Sequence, residues 1–295
     1  MSHDLGEFLR SRRARVRPED VGLPAGGRRR VAGLRREELA LLAGVSVDYY
    51  VRLEQGRTPA VSDAVLDAVA RVLRLDETER SHLRNLVRPA RRRRPASQRV
   101  RPGLSRLLEM AGDLPAFVMG RRSDILAWNP LADAVYDFSS MQPAERNSAR
   151  HTFLRPEARL FYRDWPAVAA DMVAFLRLDA GRYPDDAELA ALIGELSMKD
   201  DTFRTLWAEH TVLEKTYGAK LINHPVVGEL DLAYESLRPS GDPDLTLAMY
   251  TAAAGSPTEE RLRLLASWAA SPDHDQHDHD QQPDHDQPAN PGFRA

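Results

Sequence analysis

A chain of 295 residues is long enough for two domains of ordinary size. It contains no cysteine, which excludes disulfides, thiolate nucleophiles, Cys-ligated zinc and iron–sulfur clusters. The net charge of −3 hides an asymmetry: residues 1–101 hold 23 Arg, no Lys and 13 acidic side chains, hence +10, while the other 194 hold 18 basic and 31 acidic ones, hence −13. Arginine neutralises phosphates and releases counterions, so the basic end points to nucleic acid. No apolar run approaches the ~20 residues of a membrane span. The start, M-S-H-D-L-G, lacks the apolar core of a secretion signal, so a cytoplasmic protein is expected.

In chain order, Leu5, Phe8 and Leu9 give a first amphipathic helix ending near Pro18. The loop over 18–34 exceeds the ~2–8 residues usual between packed helices. Its G-G-R-R-R run offers Arg28, Arg29 and Arg30 to an adjacent groove or phosphate, or leaves them on a mobile surface. Residues 36–56, R-E-E-L-A-L-L-A-G-V-S-V-D-Y-Y-V-R-L-E-Q-G, read as two short helices set at a fixed angle. Leu39, Ala40 and Ala43 form the buried face of the first, and Gly44 stands where a helix end needs positive φ. Ser46 caps the second helix, whose Tyr50 and Leu53 face inward. Val47, Asp48, Tyr49 and Arg52 are left outward. This is a helix-turn-helix, which lays its second helix in the DNA major groove. Ser62 caps a fourth helix and residues 77–87 make a fifth. The reading is an all-α helix-turn-helix domain over 1–87.

Seven arginines and three prolines over 88–102 make an extended linker, either a solvated hinge or a strap along the DNA backbone. From 103 to 271 the pattern becomes mixed. A short helix ends before Pro115, then A-F-V-M-G and D-I-L-A-W are β-favouring runs joined by a turn over 121–123. Asn129 and Pro130 start a helix, and helices follow near 146–154, 165–180, 187–198 and 202–210. Strands are expected over 212–217, 221–224, 226–234 and 245–250, with a last helix over 258–270 capped by Ser256 or Thr258. This is an α+β domain with an antiparallel sheet. The tail over 272–295, rich in His and Asp, cannot bury enough to order itself. His277 and His279 beside aspartates have metal-ligating chemistry, but no metal site is assigned.

D-I-L-A-W-N-P-L-A-D-A-V-Y-D-F resembles the opening of a PAS domain, and residues 36–56 resemble the Xre/Cro class of DNA-binding domains. Together with L-P-A-F-V-M-G-R-R (114–122), P-A-E-R-N (143–147), H-P-V-V-G-E-L (224–230) and Y-E-S-L-R (234–238), these runs resemble the MmyB-like transcription regulators in order across both domains. Ser123 departs from the aromatic residue expected there. The resemblance implies a bacterial transcription factor with a PAS-like sensing domain and a fatty-acid-like ligand, with no cofactor required. On the Xre pattern Arg36 clamps a phosphate, Val47, Asp48 and Arg52 face base edges with Tyr49 beside them, and Arg57 contacts backbone. Two such domains on a palindrome imply a homodimer.

For the pocket, Val118, Met119, Leu126 and Trp128 with Phe138, Phe161, Tyr162, Phe175 and Tyr217 line a cavity or fill a solid core. Arg122, Lys215 or His224 would supply a cation for an amphipathic acid. The chain lacks phosphate-loop, nucleophile-elbow, zinc-pair and dinucleotide motifs, so it is read as a non-enzyme. The rival reading is an Xre-type adaptor or antitoxin whose second domain contacts a protein partner.

Overall fold

The computed structural model describes residues 2–24, 31, 33–58, 60–88, 98–214 and 216–269. Arg28, Arg29, Arg30, Lys215, most of the linker and the tail lie outside them.

The N-terminal domain contains α1 (Ser2–Arg15), α2 (Arg36–Ala43), α3 (Val47–Glu54), α4 (Asp63–Val72) and α5 (Glu77–Val87). The loop after α1 holds one 3-10 turn, Pro18–Val21, which the sequence reading missed. Local chemistry fixes the ends. Gly44 has φ 69° after α2, the Ser46 hydroxyl accepts from the Tyr49 amide at 3.1 Å, and the Asp76 carboxylate accepts from the Glu79 amide at 2.8 Å. Leu9, Leu34, Leu39, Tyr50, Leu66 and Leu83 are buried at the centre. Gly6 lets α1 cross α3 closely, since a Cβ there would come within 2.4 Å of the Glu54 carbonyl oxygen.

The second domain opens with α6 (Pro102–Met110), β1 (Ala116–Met119), β2 (Ile125–Trp128) and α7 (Pro130–Tyr136). A helical layer follows: α8 (Ser148–Leu154), α9 (Ala158–Phe161), α10 (Trp165–Arg182), α11 (Ala187–Lys199) and α12 (Asp201–Ala208). Then come β3 (Tyr217–His224), β4 (Gly228–Leu237), β5 (Thr246–Thr251) and α13 (Pro257–Ala269). The five strands are all antiparallel in the order β2-β1-β5-β4-β3. One face packs on α7 and α13 around Phe117, Leu131, Ile222 and Leu262, and the other on α6 around Leu104, Val118 and Leu247.

Two buried asparagines tie these layers together. The Asn129 side chain donates to the Ala111 and Leu114 carbonyls and accepts from the Ala116 and Ala132 amides. Asn147 donates to the Arg122 carbonyl and the Asp124 carboxylate, and accepts from the Ala149 and Arg150 amides. Such polar groups persist in a core only when fully satisfied.

One part of the strand reading needs correction. Residues 212–214 are not strand, and β3 instead runs unbroken from Tyr217 to His224. Val212 is buried in the core of the DNA-binding domain, which removes it from the sheet its β-favouring side chain suggests.

Candidate functional site

The outward face of α3 carries the helix-turn-helix chemistry. Val47, Asp48, Arg52 and Arg57 are exposed and Tyr49 is half-buried. Asp48 and Arg52, one turn apart, form an ion pair at 3.2 Å. Arg36 is held on the protein. Its guanidinium donates to the buried Glu54 carboxylate at 2.7 and 3.1 Å, while Arg13 reaches the other oxygen at 3.3 Å. That anchorage fixes the start of α2 against the end of α3 and sets the angle between them.

In the second domain a cavity of about 140 Å³ lies between the sheet and helices α7, α8 and α10. This is close to the size that accepts one benzene ring, so a longer occupant must extend through the mouth. Met119, Phe138, Tyr162 and Phe175 line it as the sequence reading expected. The other expected residues that the structure describes lie elsewhere. Trp128 packs on Phe138 under the Arg146 guanidinium, and Tyr217 is 71% exposed. Val118 faces the opposite side of the sheet in the α6 core, with Leu126 packed against it. Phe161 packs on Tyr136 and Tyr162 from behind. Arg122 pairs with Asp124 at 3.1 Å, with Asp186 at 3.7 Å and with Glu188. His224 staples the β3–β4 turn: its Nδ1 accepts from the Val226 and Val227 amides and its Nε2 donates to the Ala134 carbonyl. Burial lowers its pKa, keeping this neutral form.

Two described cations line the cavity, Arg238, which pairs with Glu214 at 3.1 Å, and Lys220. Its ammonium stands 5.4 Å from the Tyr162 ring centre and 5.9 Å from that of Tyr234. Among the described residues it makes neither a hydrogen bond nor an ion pair. Desolvation works against its charge, but the phenols of Tyr250, Tyr162 and Tyr234 and the Asp171 carboxylate outweigh that, so it stays protonated at neutral pH. Two more polar groups on the wall lack partners. The Tyr136 hydroxyl is buried without a hydrogen bond of good geometry, and burial, with the nearby Tyr250 phenol, raises its pKa. Both His151 ring nitrogens are buried without partners, and desolvation lowers that imidazole to about 4. Native interiors rarely leave three such groups around one space. An occupant with an acidic or hydrogen-bonding head would satisfy them.

Sequence reasoning missed Lys220, Tyr136 and His151. Alternation was the available signal for Lys220: Gly218, Lys220 and Ile222 share one face of β3, and Ile222 is core. No spacing rule marks Tyr136 or His151, because their missing partners are visible only in three dimensions. Among the described residues no group of three or more His, Asp or Glu is placed to hold a metal ion, and no helix is long and apolar enough to cross a membrane.

No curated protein matches the chain at a significant level. Residues 4–83 match a helix-turn-helix domain model. Residues 100–265, more than half of the chain, match the model of the MmyB-like transcription regulator ligand binding domain. A DNA-reading domain joined to that ligand-binding domain makes this a DNA-binding transcription regulator, and the chain belongs to the MmyB-like regulator family.

Proposed function

We propose that this regulator responds to a small amphipathic acid, of which a fatty acid is the simplest representative, bound in the cavity beneath the sheet. The observation that carries the reading is Lys220, a charged ammonium set among aromatic rings on the cavity wall that makes no hydrogen bond or ion pair among the described residues. A carboxylate would pair with it, and the neighbouring phenols would donate to the same oxygens. The apolar walls from Phe117, Met119, Phe138, Met172 and Phe175 would take the hydrocarbon. The sheet order β2-β1-β5-β4-β3, with its helical layer inserted between β2 and β3, supports a PAS-like reading of the domain.

At the other end, α3 enters the major groove with Val47, Asp48, Tyr49 and Arg52 at base edges. Arg57 and the free edge of Arg36 meet phosphates, and Arg28, Arg29 and Arg30 reach the flanking backbone. Two copies bind a palindromic site as a homodimer, and no cofactor is needed.

Mass spectrometry of organic extracts from the purified full chain, combined with titration of fatty acids from eight to sixteen carbons, tests the ligand. A co-purifying acid or a saturable thermal shift is expected. An empty extract with no shift overturns the ligand class while leaving DNA binding intact, and a stoichiometric protein partner in its place favours an adaptor.

A further inference from the structure

The short segment between α12 and β3 belongs to both domains. From α1, the Arg12 guanidinium donates to the His210 carbonyl at 2.8 Å. Arg15 donates to the Glu209 carbonyl at 2.9 Å and to the Thr211 hydroxyl at 3.1 Å. Val212 is 3% exposed within the core of the DNA-binding domain. The next residue, Leu213, lines the cavity of the other domain, as does Glu214.

Arg12 is no loose tether. It is 3% exposed, its Nε lies 2.8 Å from the Glu79 carboxylate of α5, and its guanidinium stacks 4.9 Å over the Phe8 ring. On the far side of the segment, Arg177 of α10 contacts His210 at 2.9 Å and also binds the Trp207 carbonyl. One peptide unit therefore separates a side chain fixed in one core from a side chain on the wall of the other.

We infer that residues 209–214 are the strap that transmits occupation of the cavity to the helix-turn-helix, by shifting Leu213 and with it Val212 and α1. The peptide joining the two residues is planar and stiff, and close-packed cores respond by discrete repacking. A displacement at Leu213 therefore has only one peptide and its two flanking backbone rotations to cross before it reaches Val212. An occupant changes DNA affinity only by as much as it prefers one strap position over the other. The inference rests on the reading that the cavity receives a ligand, and its test needs no natural ligand.

The chain has no cysteine, so Ser148→Cys on the cavity wall creates a single thiol. Hexyl methanethiosulfonate converts it to a mixed disulfide, the thiolate taking the alkylthio group as methanesulfinate leaves, and so installs an alkyl occupant in the full chain. Hydrogen exchange of α1 and α5 is then read by mass spectrometry. The hexyl adduct should change exchange in α1 at least threefold relative to the unmodified variant. Adding Leu213→Ala should reduce that change to less than half, whereas the volume-conserving Leu213→Met should keep it. Unchanged α1 exchange in the adduct, or an undiminished effect with Leu213→Ala, overturns the strap. Either result leaves fatty-acid titration to decide the ligand separately.

Discussion

Replacing Lys220 with methionine isolates the head-group contact, because the stem keeps its length while the charge and three donors disappear. A hydrogen bond to a charged group contributes about 1.5–3 kcal/mol, and each 1.4 kcal/mol is tenfold in affinity, so decanoate should bind the Lys220→Met protein roughly 10- to 150-fold more weakly. Stability should move the other way or stay level. The native ammonium has no hydrogen-bond or ion-pair partner among the described residues, so its removal strands nothing, and a thioether suits the ring faces of Tyr162 and Tyr234. Displacement of a fluorescent fatty acid gives the affinity, and thermal unfolding without ligand gives the stability. Decanoate binding at wild-type strength by a folded Lys220→Met protein would refute the assignment of Lys220 as the anchor. A large drop in apo stability would instead make Lys220 a structural residue.

Five further outcomes are expected. Glu54→Ala leaves Arg13 and Arg36 facing a buried void, and because Arg36 is half exposed the loss should fall near the low end of the ~3–5 kcal/mol typical of broken buried pairs, seen in denaturant unfolding. Arg52→Ala should relax base preference at one position by ~1–3 kcal/mol in selection from randomised duplexes, whereas Arg57→Ala should weaken all sequences alike and lower the salt slope by ~1. Gly181→Ala puts a methyl within 2.5 Å of the buried His82 ring and should loosen α10 from α5, detected as faster proteolysis near 209–214 with the cavity's decanoate affinity kept. Burial lowers His82 to about 3 and His151 and His210 to about 4, so the unfolded chain binds more protons below pH 6.5 and stability should fall as pH drops from 6.5 toward 4. Asp179, raised to about 7 by burial, acts oppositely by losing stability as pH rises from 4 to 7, so Asp179→Asn should steepen the acid limb.

The helix-turn-helix was legible because its determinants are local. Gly44 at positive φ, Ser46 as a cap and the inward pair Tyr50 and Leu53 lie within a dozen residues, and the structure uses each as read. The antiparallel sheet of the second domain was legible in type, though six strands were expected where five form, and β1, β2 and α7 fell close to their expected bounds. The pocket was half legible. Apolar wall residues such as Met119 and Phe175 follow from composition, but which arginine or lysine stays unpaired depends on distant carboxylates. Arg122 looked available until Asp186 and Glu188 of a remote helix claimed it. The strand over 212–217 failed for the same reason, since Val212 has strand chemistry but a better burial site in the other domain's core.

Three cations taken partly or wholly out of water differ in what meets them. Arg12 and Arg177 are each lowered to about 10 by desolvation, yet both remain charged at neutral pH because protein groups meet them: Glu79 and the His210 carbonyl for Arg12, His210 and the Trp207 carbonyl for Arg177. Their desolvation is offset in part by contacts that also fasten the two domains across residues 207–210. Lys220 has ring faces around it and makes no hydrogen bond or ion pair among the described residues. An acid placed there would pair with the ammonium at the cost of no existing hydrogen bond or ion pair of Lys220 among the described residues. Because residues 209–214 are held by Arg12 at one end and line the Lys220 cavity at the other, energy gained by an occupant of the cavity would be delivered beside the bonds that join the domains.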